Sequence, residues 1–141
     1  MDRIEEFLSK DRFAALLGIT VESASEDGRC TVAMPFEEKH QNGLGNAHGG
    51  VIFTLADMAF GLGCYVAGLL CVSAQCSISY LSPGFGRFLR AESTPVKIGR
   101  SLVVCEITIY GEHGRKVAVA TMNGFIVERA QNADGKEMSN G

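Results

Sequence analysis

A chain of 141 residues is long enough to bury one hydrophobic core and short for two. Its 13 Lys and Arg against 16 Asp and Glu leave a net charge of −3, so no overall basic field points to nucleic acid or to an anionic membrane. The five cysteines (Cys30, Cys64, Cys71, Cys76, Cys105) form no Cys-x-x-Cys pair and, with His40, His48 and His113, no zinc-ligand spacing. Buried free thiols in a reducing, cytoplasmic setting are expected, with no metal.

The start, Met1-Asp2-Arg3-Ile4-Glu5-Glu6, lacks the basic opening and apolar run of a signal peptide. Residues 3–17 carry Ile4, Phe7, Leu8, Phe13, Leu16 and Leu17 at roughly helical spacing, with Gly18 as a stop. They predict one helix or two short ones. Residues 19–23 and 29–35 predict two strands, joined by a hairpin turn at Glu26-Asp27-Gly28. Residues 36–47 are polar, hold Gly43 and Gly45, and predict a loop.

Residues 49–66 predict a long central helix. Residues 51–72 are almost wholly apolar and about as long as a bilayer span. Asp57 near the middle, Gly61, Gly63 and Gly68, and the lack of flanking Lys or Arg argue against a membrane. A helix apolar all round also suits the centre of a soluble fold. Residues 72–81, 87–98, 102–112 and 116–128 then predict four strands, separated by Ser82-Pro83-Gly84, Gly99-Arg100-Ser101 and residues 112–115. From Arg129 to Gly141 the chain is polar and aperiodic and reads as a disordered tail, leaving residues 1–128 as one domain. Consecutive strands joined by short turns make an antiparallel sheet. One apolar helix buries all its faces only if that sheet curls around it, so an α+β fold with a sheet wrapped on a central helix is expected.

The chemistry concentrates in Asn42-Gly43-Leu44-Gly45-Asn46-Ala47-His48-Gly49-Gly50 and in Leu55-Ala56-Asp57. Gly49 and Gly50 have no Cβ, and they open a helix whose first N–H groups have no intrahelical partner. A carbonyl oxygen that gains negative charge is stabilised at such a place. The stretch is not a phosphate loop, because the Gly-Lys-Ser/Thr ending is missing. Asp57 sits among apolar helix residues, where a lone carboxylate is costly, and is therefore a candidate base or nucleophile. Asp57 follows Gly49 by eight residues, about 12 Å along a helix axis. One helix does not easily bring both to one reacting carbon, whereas two antiparallel copies do, which favours a two-fold dimer with shared sites. The small residues Gly61, Gly63 and Cys64 are expected to let two helices approach.

Together these residues resemble the PaaI-like group of hotdog-fold thioesterases, over residues 13–127. The resemblance rests on Asn42-x-x-Gly45-x-x-His48-Gly49-Gly50, on Leu55-Ala56-Asp57, and on Val72-Ser73 and Tyr80-Leu81-Ser82-Pro83. Gly99-Arg100 and Gly124-Phe125 also fit. It implies a hotdog fold and hydrolysis of an aryl- or medium-chain acyl-CoA, with coenzyme A as part of the substrate and no separate cofactor. It implies Asp57 as the catalytic carboxylate and Gly49 as backbone donor to the thioester carbonyl. Asn42 and His48 would stand near the same carbonyl, and Ser73 would orient water. It also implies a homodimer, often doubled to a tetramer. The departures from the family's pattern fall in residues 68–72, between helix and strand. Gly50 borders the substrate path. Arg100, Lys97, Arg87 and Arg90 stand near strand ends and are candidates to pair with the phosphates of coenzyme A. Two other readings remain. One is a hotdog acyl-CoA hydratase or dehydratase using His48 with Asp57. The other is a non-catalytic acyl-CoA-binding protein.

Overall fold

The computed structural model describes residues 2–130. Two short helices come first, α1 (Arg3–Lys10) and α2 (Arg12–Leu17). Asp2 caps α1 in a capping box, its carboxylate accepting from the Glu5 N–H at 2.8 Å. Asp11 ends α1 and caps α2, accepting from the Ala14 N–H at 2.9 Å. A cap between them is why the segment breaks into two helices. Strands β1 (Thr20–Ala24) and β2 (Cys30–Pro35) form the expected hairpin. The following loop contains a single 3-10 turn at Glu38–His40, and the central helix α3 spans Gly49–Val66, as the sequence predicts.

Four strands follow: β3 (Leu69–Tyr80), β4 (Phe88–Ile98), β5 (Leu102–Tyr110) and β6 (Lys116–Arg129). The sheet order is β1-β2-β4-β5-β6-β3, with every neighbouring pair antiparallel. Most strand bounds fall within one or two residues of expectation; β5, for example, ends at Tyr110, not residue 112. The start of β3 and the end of β6 differ for a shared reason. β3 begins at Leu69, not residue 72, because Gly68 turns the chain directly at the helix end with φ 85°. Such a φ suits glycine, and it leaves Leu69 already paired with Arg129. That pairing also carries β6 to Arg129, into the stretch expected as tail. The rest of that stretch, residues 131–141, lies outside the described residues.

The core lies between α3 and the concave face of the sheet. Leu55, Ala56, Ala59, Phe60 and Leu62 from α3 meet Val32, Met34, Leu89, Ala91, Val103, Ile107, Ile109 and Met122 from the strands, all buried. α3 is long and apolar enough to cross a membrane, but more than half of it is buried within this wrap. Close packing sets its small residues. A Cβ at Gly63 would lie 2.4 Å from the Gly28 carbonyl oxygen, so α3 touches the β1–β2 turn there. Cys64 is buried beside Cys71 and Cys105, and Gly61 faces Phe7 of α1. These three positions therefore serve contacts within the chain. Gly63 and Cys64 are buried against the chain's own sheet and do not seat a second helix as the sequence suggested, whereas Gly61 opens onto a cavity beside α1.

The outer edge of β3 has no neighbour among the described strands. Val72 and Tyr80 on β3, with Phe125 and Val127 on β6, are each more than half exposed. A long unpaired edge beside an apolar patch is a surface that proteins normally cover.

Candidate active site

The glycine-rich loop is built around Asn42. Its side-chain oxygen accepts from the N–H groups of Leu44 and Asn46, at 2.9 and 3.2 Å. Its own N–H donates to the Asn46 carbonyl at 2.7 Å, closing a compact turn. The Asn42 oxygen is thus committed to the loop, while its NH2 group has no partner among the described residues. Behind the loop, His40 is fully buried. Its Nδ1 accepts from the Glu37 N–H at 2.9 Å, which leaves Nε2 as donor to the Leu17 carbonyl at 2.8 Å. The His40 carbonyl in turn accepts from the His48 N–H at 2.8 Å. A buried histidine therefore fixes where α3 begins.

His48 is the N-cap of α3, and its Nδ1 accepts from the Gly50 N–H at 2.9 Å. This bond accounts for one of the first free N–H groups of the helix. The Gly49 N–H has no partner among the described residues. The Gly49 carbonyl accepts from the Tyr80 hydroxyl at 3.1 Å. Asn42, Gly49 and Tyr80 line one cavity of about 410 Å³. A Cβ on Gly49 would stand 3.5 Å from the Tyr80 ring, so a larger side chain there fills this space.

Asp57 is half-buried at the middle of α3, about two turns past Gly49, and opens into a second cavity, of about 170 Å³. Ser73 donates its hydroxyl to Oδ1 at 3.0 Å. The other oxygen has no partner among the described residues. The β3–β6 register shifts between Ser73 and Gln75, and Ser73 pairs with Gly124. Bulges commonly re-aim a side chain beside a functional group, and this one accompanies the contact between Ser73 and α3. Burial raises the Asp57 pKa above that of an ordinary aspartate, the Ser73 hydrogen bond opposes the rise, and the negative charge of Asp11 adds to it.

Within one chain, therefore, the sequence-chosen residues fall into two groups. Asn42 and Gly49 line one cavity, Asp57 and Ser73 the other, and His48 lines neither. The basic candidates divide likewise. Arg87 lies near the loop end of the sheet, its N–H and Nε both bound to a Glu112 carboxylate oxygen at 2.8 and 2.9 Å. Arg90 makes a two-pronged pair with Glu22. Lys97 and Arg100 stand at the opposite end of β4, where the Arg100 carbonyl accepts from Arg129. At about 3.3 Å per residue, the length of β4 separates the two ends by roughly 30 Å. Among the described residues no group of three His, Cys, Asp or Glu is placed to hold a metal ion.

Three residues that the sequence did not mark for a role belong to these cavities. Tyr80 lies within a quoted motif and holds Gly49. Asp11 and Phe7 line the Asp57 cavity from the N-terminal helices. Nothing in the local pattern of residues 3–11 separates them from ordinary amphipathic helix positions.

A single long helix in a wrapped antiparallel sheet, with a carboxylate on that helix and an unpartnered N–H at its start, is the hotdog architecture. The model of the thioesterase superfamily matches residues 44–118. The acyl-coenzyme A thioesterase PaaI of Escherichia coli K12 is 36% identical over 110 residues, covering 77% of this chain and 78% of that protein. The structure of E. coli PaaI superposes with a TM-score of 0.85 at 29% identity, over 91% of this chain and 93% of that one. A hypothetical thioesterase protein from Streptococcus pneumoniae TIGR4, solved with coenzyme A, has a TM-score of 0.82 at 32% identity, over 91% and 99%. The chain belongs to the thioesterase superfamily, as a PaaI-like hotdog member.

Proposed function

We propose that this protein hydrolyses acyl-CoA thioesters to the free acid and coenzyme A, with Asp57 as its general base. The observation that carries the reading is the state of Asp57. It is a half-buried carboxylate with a raised pKa, one oxygen held by Ser73 and the other open to a cavity. Asp57 takes a proton from water while the water oxygen adds to the thioester carbonyl. The oxyanion that forms is met by the Gly49 N–H at the positive end of α3. The carbon–sulfur bond then breaks, and the coenzyme A thiolate leaves and takes up a proton. No separate cofactor enters this chemistry.

The two groups act on one carbonyl when they come from two copies of the chain. Gly49 and Asp57 line separate cavities, about 12 Å apart along α3. The unpaired β3 edge and the exposed Val72, Tyr80, Phe125 and Val127 supply the surface for a two-fold dimer, itself able to double. Arg100 and Lys97 are the candidates to meet the phosphates of coenzyme A, a pantetheine arm away from the thioester at the glycine-rich loop. Asn42 and Gly50 border the thioester there, with His48 shaping the turn. The five free thiols fit a cytoplasmic location.

A panel of acyl-CoAs assayed for free thiol tests the function. Thiol release that follows the acyl group supports hydrolysis. Binding without thiol release would leave a binding protein, and loss or gain of water across a double bond without thiol release would make it a hydratase.

A further inference from the structure

On α3, Asp57, Gly61 and Tyr65 follow one another at four-residue spacing and so share one helix face. Gly61 leaves open the floor of the cavity that Asp57 and Ser73 line. A Cβ on Gly61 would meet only Phe7 Cζ, at 3.5 Å. Phe7 projects from α1, and its ring centroid lies 5.3 Å from that of Tyr65 with the planes tilted by 51°. That is a favourable arrangement for two aromatic rings. Arg3 of the same helix fastens the pair. Its Nε donates to the Tyr65 carbonyl at 2.8 Å, and its guanidinium lies 4.2 Å above the Tyr65 ring.

Beyond the rings lies a second, larger space of about 670 Å³. Phe7, Asp11, Tyr65 and Leu70 line both this space and the Asp57 cavity. They are a partition between the two.

We propose that the Phe7–Tyr65 pair is an acyl-length gate. It ends the Asp57 cavity at a size that takes a short or single-ring acyl group, and it bars straight chains from the outer space. This rests on the hydrolase reading for its substrate, and it adds the residues that set which acyl groups enter. Phe7 already stands over Gly61, four residues beyond Asp57, so an acyl group has about 6 Å along the helix before it meets the gate. No residue of α1 is buried. Phe7 is half-buried at the edge of the core, so trimming its ring removes a wall while the fully buried core residues stay in place.

The test measures affinity by calorimetry for S-alkyl-CoA thioethers of rising chain length, which cannot be hydrolysed. Each additional buried methylene contributes about fourfold in affinity. Two methylenes beyond the gate therefore give more than about tenfold. In wild type, affinity should stop rising after a short chain. In Phe7→Ala, the preference for S-decyl-CoA over S-ethyl-CoA should grow at least about tenfold. A gain of this kind does not come from a damaged fold. Gly61→Val, which puts methyl groups into the cavity floor, should lower affinity for the S-benzyl thioether relative to the S-ethyl by about tenfold. A decyl-to-ethyl ratio within about twofold of wild type in folded Phe7→Ala would overturn the gate, and so would equal losses for all thioethers in Gly61→Val. Absence of thiol release from every acyl-CoA would instead remove the hydrolase reading, while the affinity shifts would still decide the gate.

Discussion

Replacing Asp57 with Asn separates the chemical role of the carboxylate from its structural one. The amide keeps the shape, and its oxygen still accepts from the Ser73 hydroxyl, so the 3.0 Å contact survives. What disappears is the negative charge and the base. A positioned base is typically worth about 10²–10⁴-fold in kcat, or roughly 3–5 kcal/mol of barrier. KM should change little, because groups that bind coenzyme A are untouched. Stability should move the other way. Burial raises the folded-state pKa of Asp57 above its unfolded value. The folded state therefore holds the proton more tightly, and the stability linked to it is full below the unfolded pKa and lost as pH rises through the folded one. At pH 7 ionised Asp57 costs stability, so Asp57→Asn should raise Tm there, and the gain should fade at acid pH. Steady-state thiol release and thermal melts at two pH values measure both effects. A kcat within about threefold of wild type would take Asp57 out of the mechanism. A lower Tm at pH 7 would show the carboxylate anchoring the fold instead.

Activity should fall as pH drops through the Asp57 pKa, because the base must be ionised. Asp11→Asn removes a like charge yet can still cap α2, so it should move this acid limb to lower pH, whereas Ser73→Ala should move it higher. A kcat–pH profile identical in all three proteins would remove both residues from the tuning of Asp57. Gly63→Ala should lower Tm through a cost of about 1–3 kcal/mol, since its Cβ would lie 2.4 Å from a backbone carbonyl oxygen. An unchanged melt would contradict that contact. Arg100→Ala should raise KM for acyl-CoA with kcat nearly constant, and should matter little for a thioester lacking the nucleotide. Equal effects on both substrates would count against a role in phosphate binding.

Much of this molecule is legible in the sequence where a physical constraint is local. The bounds of α3 follow from Gly49 and an unbroken apolar run, and the antiparallel strands follow from short turns between alternating segments. Asp57 stands out because a carboxylate in an apolar helix needs a reason. Other features depend on contacts far apart in the chain. The early start of β3 depends on the φ of Gly68 and on pairing with Arg129. The small residues Gly61, Gly63 and Cys64 look the same in sequence whether they face a second helix or their own sheet. Phe7 and Asp11 join the Asp57 cavity only because α1 folds back across α3, and the roles of His40 and Tyr80 come from hydrogen bonds to residues 17, 48 and 49.

The central claim is that Gly49 of one chain and Asp57 of another serve one thioester. It is tested most directly by mixing two disabled chains. Asp57→Asn lacks the base, and Gly49→Trp blocks the cavity beside Tyr80. Each homodimer should be inactive. Heterodimers, made by co-expression and isolated with two affinity tags, contain one site with both groups intact, so they should recover about half of the wild-type thiol release. No recovery in verified heterodimers would show that Gly49 and Asp57 act from the same chain.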